Sequence, residues 1–140
     1  MALTVIKANE VKEFTPECQQ DEPIPTIFGL KPVTGMESSQ FVAGFMNAKE
    51  TVGRGRNQRE IYDAEKLEKN SIKQFCSLVK YVKNFYMPVD GDVDNPKLMD
   101  MIDKPEDINY IARNINPEIR TEVIDASFTI FSTSAGEKKT

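Results

Sequence analysis

The sequence predicts a mainly α fold: a small helical bundle with a short N-terminal strand or β-hairpin and a flexible N-terminal arm. Three observations predict it. Between Ile61 and about Tyr86, apolar residues recur at helical spacing, with Ile72, Phe75, Cys76, Val79, Val82 and Tyr86 on one stripe that Leu78 and Phe85 widen. Three later segments open with proline in the grammar of a helix start, at Asn95-Pro96, Lys104-Pro105-Glu106-Asp107 and Asn116-Pro117-Glu118. Strand-forming residues, by contrast, concentrate in one short stretch, Ile24 to Val33.

In chain order, residues 1–23 are polar and acidic, with Pro16, Pro23 and the short apolar pieces Leu3–Ile6 and Val11–Phe14. They read as an arm, locally structured at most and able to dock on a neighbour. In Ile24–Val33 the β-branched and aromatic residues favour a strand, and the flanking prolines confine it to an edge or a short hairpin. Thr34-Gly35 marks a turn. Ser38 or Ser39 then caps a helix with Phe41, Val42 and Phe45 on one face, ending by about Glu50. Residues 51–60 form a basic, glycine-interrupted loop before the long helix of 61–86, whose first half shows solvent the charges Asp63, Glu65, Lys66, Glu68 and Lys69.

Met87-Pro88 stops that helix, and Asp90-Gly91-Asp92-Val93-Asp94 is an acidic turn. The helices expected after it run about 96–102, 105–115 and 117–131. The second buries Ile108, Ile111, Ala112 and Ile115. The third buries Ile119, Val123, Ile124, Ser127 and Phe128. Residues 24–132 thus make a single mostly helical domain, and 133–140 a disordered polar tail.

Composition narrows the function. The chain has 140 residues with 39% hydrophobic and 29% charged, which suits one globular domain and argues against wholesale disorder. It contains no histidine, so imidazole-based triads, general bases and metal ligands are excluded. Its two cysteines are too few for a disulfide framework or an iron–sulfur cluster. Cys76 lies in an apolar helical pattern, as a buried small hydrophobe would, and Cys18 sits in an acidic segment with no base to activate it. No phosphate loop or nucleophile elbow is present, and no carboxylate pair lies in an apolar setting. The chain is expected to be no enzyme and to need no cofactor. No window approaches a transmembrane length, so a cytoplasmic location and no membrane partner are expected.

Two charged constellations stand out. Asp90-x-Asp92-x-Asp94 has the opening spacing of an EF-hand loop, but the glycine, backbone and closing glutamate positions are filled by Asn95, Pro96 and Met101, so a solvated turn is expected rather than a calcium site. Gly53-Arg54-Gly55-Arg56 with Arg59 resembles an Arg-Gly nucleic-acid segment. No aromatic lies between those arginines to stack a base and the pI is near 5.0, so no nucleic-acid partner is expected. Residues 49–83 hold nine Lys/Arg against five Asp/Glu, while 90–125 hold ten Asp/Glu against four Lys/Arg. Such poles either neutralise each other within the fold or drive head-to-tail self-association, in which Arg54 and Arg56 would take part.

The order of elements carries a resemblance. A polar arm precedes Pro25-Thr26-Ile27-Phe28-Gly29-Leu30-Lys31-Pro32-Val33-Thr34-Gly35-Met36-Glu37. A helix follows, then a charged loop, a long helix ending near Met87-Pro88, and an acidic helical region with Asn116-Pro117 opening a last helix that ends in Phe131-Ser132-Thr133-Ser134. This layout is similar to the tail assembly chaperones of tailed bacteriophages, the XkdN-like group, across most of residues 24–132. The resemblance implies a non-enzymatic protein of the host cytoplasm that binds the long, apolar, helical tape measure protein and yields it to tail tube subunits. It implies no catalytic residues. Such work needs an adaptable apolar groove of modest affinity. Met36, Met46, Met87, Met99 and Met101 are the flexible side chains such grooves use, though methionines also fill cores. Phe41, Phe45, Met99 and Met101 are the expected contact surface. The competing classes are a structural virion component, such as a head–tail joining or capsid-associated protein, and a small acidic inhibitor or adaptor.

Overall fold

The computed structural model describes the backbone of residues 10–137, and the side chains of that range other than Glu50 and residues 132–137. The fold is mixed α/β, which corrects the expected mainly α bundle. Four antiparallel strands form the main sheet: β1 (Lys12–Phe14), β2 (Ile27–Leu30), β5 (Val79–Val89) and β6 (Asp92–Ile102), in the order β1-β2-β5-β6. A separate two-stranded ribbon pairs β3 (Lys49–Val52) with β4 (Arg59–Tyr62). Four α-helices complete the chain: α1 (Gly35–Asn47), α2 (Ala64–Leu78), α3 (Pro105–Asn114) and α4 (Pro117–Glu137).

Three expected elements are corrected. The long helix stops at Leu78, and Val79–Val89 continue as a strand. The helix expected at 96–102 is the edge strand β6, so Pro96 sits in a strand and opens no helix. The basic loop of 51–60 closes the β3–β4 ribbon through a 3-10 turn at Gly55–Asn57.

Both long strands follow from the turn between them. Asp90 and Gly91 have φ values of 55° and 77°, the left-handed pair that a tight hairpin needs and that Asp-Gly supplies at low cost. Helical periodicity survives into β5 because the strand is irregular. Leu30 pairs with Val79 but Gly29 with Tyr81, leaving Lys80 as a bulged, exposed extra residue. That insertion spaces the buried Val79 and Val82 by three, as a helix would. A second irregularity lies at Asn84, with φ 58°, whose backbone carbonyl accepts from Thr26 Oγ1 at 2.7 Å and whose side-chain Nδ2 donates to the Pro25 carbonyl at 3.0 Å.

β2 is an inner strand, not an edge. Its flanking Pro25 and Pro32 lie outside the paired residues, so neither removes a ladder hydrogen bond. The arm expected at 1–23 is tied to the fold at two places: β1 pairs with β2, and the Glu17 amide donates to Glu122 Oε2 of α4 at 3.0 Å. Residues 1–9 of that arm lie outside the described residues. α4 continues past the expected end at 131 to Glu137, and the last three positions of the expected tail lie outside the described residues.

The core lies between the sheet and α1–α4. Phe28 and Leu30 of β2, Phe75 and Leu78 of α2, Val82 of β5, Ile111 of α3 and Val123 of α4 are all fully or nearly fully buried, and Phe28 meets Phe75 edge-on at 6.0 Å. Arg120 of α4 is buried with them. It pairs with Glu68 at 2.7 Å and donates to Ser71 Oγ at 3.0 Å and the Ala112 carbonyl at 2.9 Å, so one guanidinium joins α4 to α2 and α3.

Candidate functional site

α1 starts with a capping box. Thr34, rather than Ser38 or Ser39, is the cap: its hydroxyl accepts from the Glu37 amide at 3.2 Å, and Glu37 Oε1 accepts from the Thr34 amide at 3.3 Å. The same carboxylate pairs with the buried Lys31, and its other oxygen accepts from Ser77 Oγ of α2 at 2.6 Å. Burial pushes the Glu37 carboxyl up, but the bonds from Lys31, Ser77 and Thr34 outweigh it and hold the pKa at about 2. This knot fixes the start of α1 against α2. Farther along, Gly44 lets α1 approach α2 so closely that a methyl group there would overlap the Asn70 side chain.

The fixed crossing leaves an open groove of about 550 Å³ between α1, α2 and α4. Phe41, Val42 and Phe45 of α1 form one wall, Leu67 and Asn70 of α2 the floor, and Phe128 of α4 the far side. Phe41 is buried and belongs to the core, whereas Phe45 is 44% and Phe128 41% exposed. The Phe45 ring rests on Tyr62 of β4 with centroids 4.8 Å apart, which continues the apolar surface onto the ribbon. Val42 and Met46 are also exposed on α1.

The six residues expected to contact a partner fall in three places. Phe41 and Phe45 share the groove. Met99 and Met101 are 40% and 46% exposed on β6, paired with Phe85 and Lys83 of β5. Arg54 and Arg56 lie exposed at the ribbon's turn. Sequence reasoning missed the polar lining residues Asn70, Ser71, Gln74 and Thr121 and the two apolar ones, Leu67 and Phe128. Leu67 was hidden in a charged stretch, and Phe128 was assigned to the core although it sits one helical turn beyond Ile124 toward solvent. Tyr86, expected on the buried stripe, is 62% exposed on β5.

One other concavity combines an apolar lining, which includes Ile72 and Cys76, with a charged rim. This second groove, of about 560 Å³ between α2 and α3, is rimmed by Glu65, Glu68, Lys69, Lys73 and Arg113. Half-buried Cys76 lies in it and accepts from Asn109 Nδ2 at 3.6 Å, and burial pushes its thiol up. In the acidic hairpin, Asp92 accepts from the Asp94 amide at 3.2 Å and from Asn95 Nδ2 at 3.1 Å. Among the described residues no cluster of acidic or cysteine side chains has the geometry to hold a metal ion. Among them, too, no helix is long and apolar enough to cross a membrane. Compared with protein-family models, curated proteins and solved structures, the chain matches none.

Proposed function

We propose that this chain is a non-enzymatic tail assembly chaperone of a tailed bacteriophage, acting in the host cytoplasm and holding apolar helical stretches of the tape measure protein. The observation that carries the reading is the solvent-open apolar groove of α1, α2 and α4, in which Phe45 and Phe128 stay exposed although burial would favour them by a few kcal/mol. A trough between helices suits the apolar face of an amphipathic helix, which reads such a site through residues at i, i+3 and i+7. The same open shape favours modest affinity, so a tail tube subunit can displace the chaperone. The client is proposed from the sequence resemblance of residues 24–132 alone, in whose layout the structure replaces the end of the long helix and the helix at 96–102 with β5 and β6.

The test is coexpression of the full chain with the tape measure protein. The reading expects the client to stay soluble and co-purify, and Phe45→Ala to weaken both effects by about tenfold or more while the chain stays folded. A client equally soluble without the chain, or unaffected by Phe45→Ala, would contradict it. A structural virion component is the second reading, favoured by edge strands such as β4 and β6 that, among the described residues, pair on one side only.

A further inference from the structure

Two parts of the molecule are strands without a core of their own. All four residues of β4 are exposed, and the β3–β4 ribbon pairs with no strand of the main sheet. It touches the body at its base, where the Asp63 amide donates to the Ala48 carbonyl at 2.6 Å and Tyr62 meets Phe45. A two-stranded ribbon is marginal in water, and a third strand is what ordinarily stabilises it. β6 has the complementary deficit. It is eleven residues long, forms the end of the main sheet, and is exposed from Asp92 to Met101 except at half-buried Leu98. Among the described residues its outer row of peptide groups has no partner strand, a state natural proteins ordinarily avoid with short or covered edges.

The charges on these two elements are opposite. Arg54, Arg56 and Arg59 are exposed around the ribbon's turn, and Asp90, Asp92 and Asp94 are exposed around the β5–β6 turn. Among the described residues neither set forms an ion pair with the other, and the ribbon's one ion pair there, Lys49–Glu60, is internal. Neutralisation between the poles within one fold is therefore not what these side chains do. Pairing ribbon with ribbon, or β6 with β6, would set like charges against each other.

We propose that the β3–β4 ribbon of one copy adds to the β6 edge of a second copy, continuing its sheet, with Arg54, Arg56 and Arg59 against Asp90, Asp92 and Asp94. The ribbon gains its third strand and the edge is covered. Because donor and acceptor surfaces differ and each copy carries one of each, the contact is heterologous and repeats head to tail. The exposed charges are screened within about 8 Å at physiological ionic strength, so assembly is strongest at low salt. This inference does not rest on the chaperone reading, since it uses neither the groove nor the client.

Sedimentation velocity on the full chain tests it, across a range of concentrations at low and at high salt. The expected result is a mean mass that rises with concentration at low salt and returns to that of one chain at high salt. The double reversals R54E/R56E and D92K/D94K each remove this rise, and their equimolar mixture restores it, because each altered surface meets an unlike one. The restoration also shows that both variants are folded. A wild-type chain monomeric throughout at low salt overturns the proposal, as do variants that assemble like the wild type or a mixture that stays monomeric.

Discussion

The ring of Tyr81 on β5 covers Gly29 on β2, and its hydroxyl reaches past that strand to donate to Glu13 Oε2 on β1 at 2.8 Å. Glu13, Gly29 and Tyr81 are in register across three strands on the sheet face away from the helices. Lys83 completes the group, 2.8 Å from the same carboxylate. Hydrogen bonds from Lys83 and then Tyr81 lower the Glu13 pKa, while burial and then Glu13 raise that of Tyr81. The three-residue strand β1 is held on this outer face as well as by Phe14 on the core side.

A methyl group at Gly29 would overlap the Tyr81 ring, so Gly29→Ala must displace it. The expected cost is about 2 kcal/mol in urea unfolding. Tyr81→Phe, which loses only the bond to Glu13, should cost about 1 kcal/mol. In Gly29→Ala/Tyr81→Ala the overlap is gone, and the combined loss should fall short of the sum of the two single changes.

Glu37 makes stability depend on acid. Its folded-state pKa of about 2 lies below the ordinary 4.5, so its contribution is complete above about 4.5 and disappears as the pH falls from there toward 2. Thermal unfolding between pH 7 and 2.5 should show this decline. Glu37→Gln should cost about 2 kcal/mol at pH 7, leaving Lys31 buried without its anion, and should flatten that part of the acid limb.

Arg120 joins three helices through Glu68, Ser71 and the Ala112 carbonyl. Replacement by methionine keeps much of the volume but orphans the buried carbonyl, and should cost about 3 kcal/mol in chemical denaturation. Arg120→Lys should recover little of it, since one ammonium cannot reproduce the planar fork.

Phe41 and Phe45 should separate folding from binding. Phe41 is 6% exposed, so Phe41→Ala is expected to destabilise by about 3 kcal/mol. The half-exposed Phe45 should cost under about 1 kcal/mol when replaced by alanine, yet weaken client binding by about tenfold or more. Unfolding curves and titration with the client measure the two effects.

The sequence made the helical half of the fold legible where local chemistry decides. Pro105 with two following acids starts α3, and Asn116 caps α4, its Oδ1 accepting from the Glu118 amide at 2.8 Å. The strand half was hidden for definite reasons. The bulge at Lys80 gave β5 a three-residue spacing of buried valines, and no glycine or proline separates α2 from it. Asn95-Pro96 has the form of a helix start, but β6 is an edge, the place where a proline is tolerated in a sheet. The one sufficient signal, Asp90-Gly91, was legible as a turn and is in fact a hairpin. At the groove, Phe41 and Phe45 were legible from helical spacing. Leu67 and Phe128 depend on how α2 and α4 cross α1, a tertiary relation with no local pattern.

Quantitative mass spectrometry of purified particles, run beside affinity purification from cells assembling them, tests the central claim most directly. The chaperone account predicts that this chain is absent from finished particles and co-purifies from cells with the tape measure protein. Its presence in particles at a fixed copy number would contradict that account and make it a structural component.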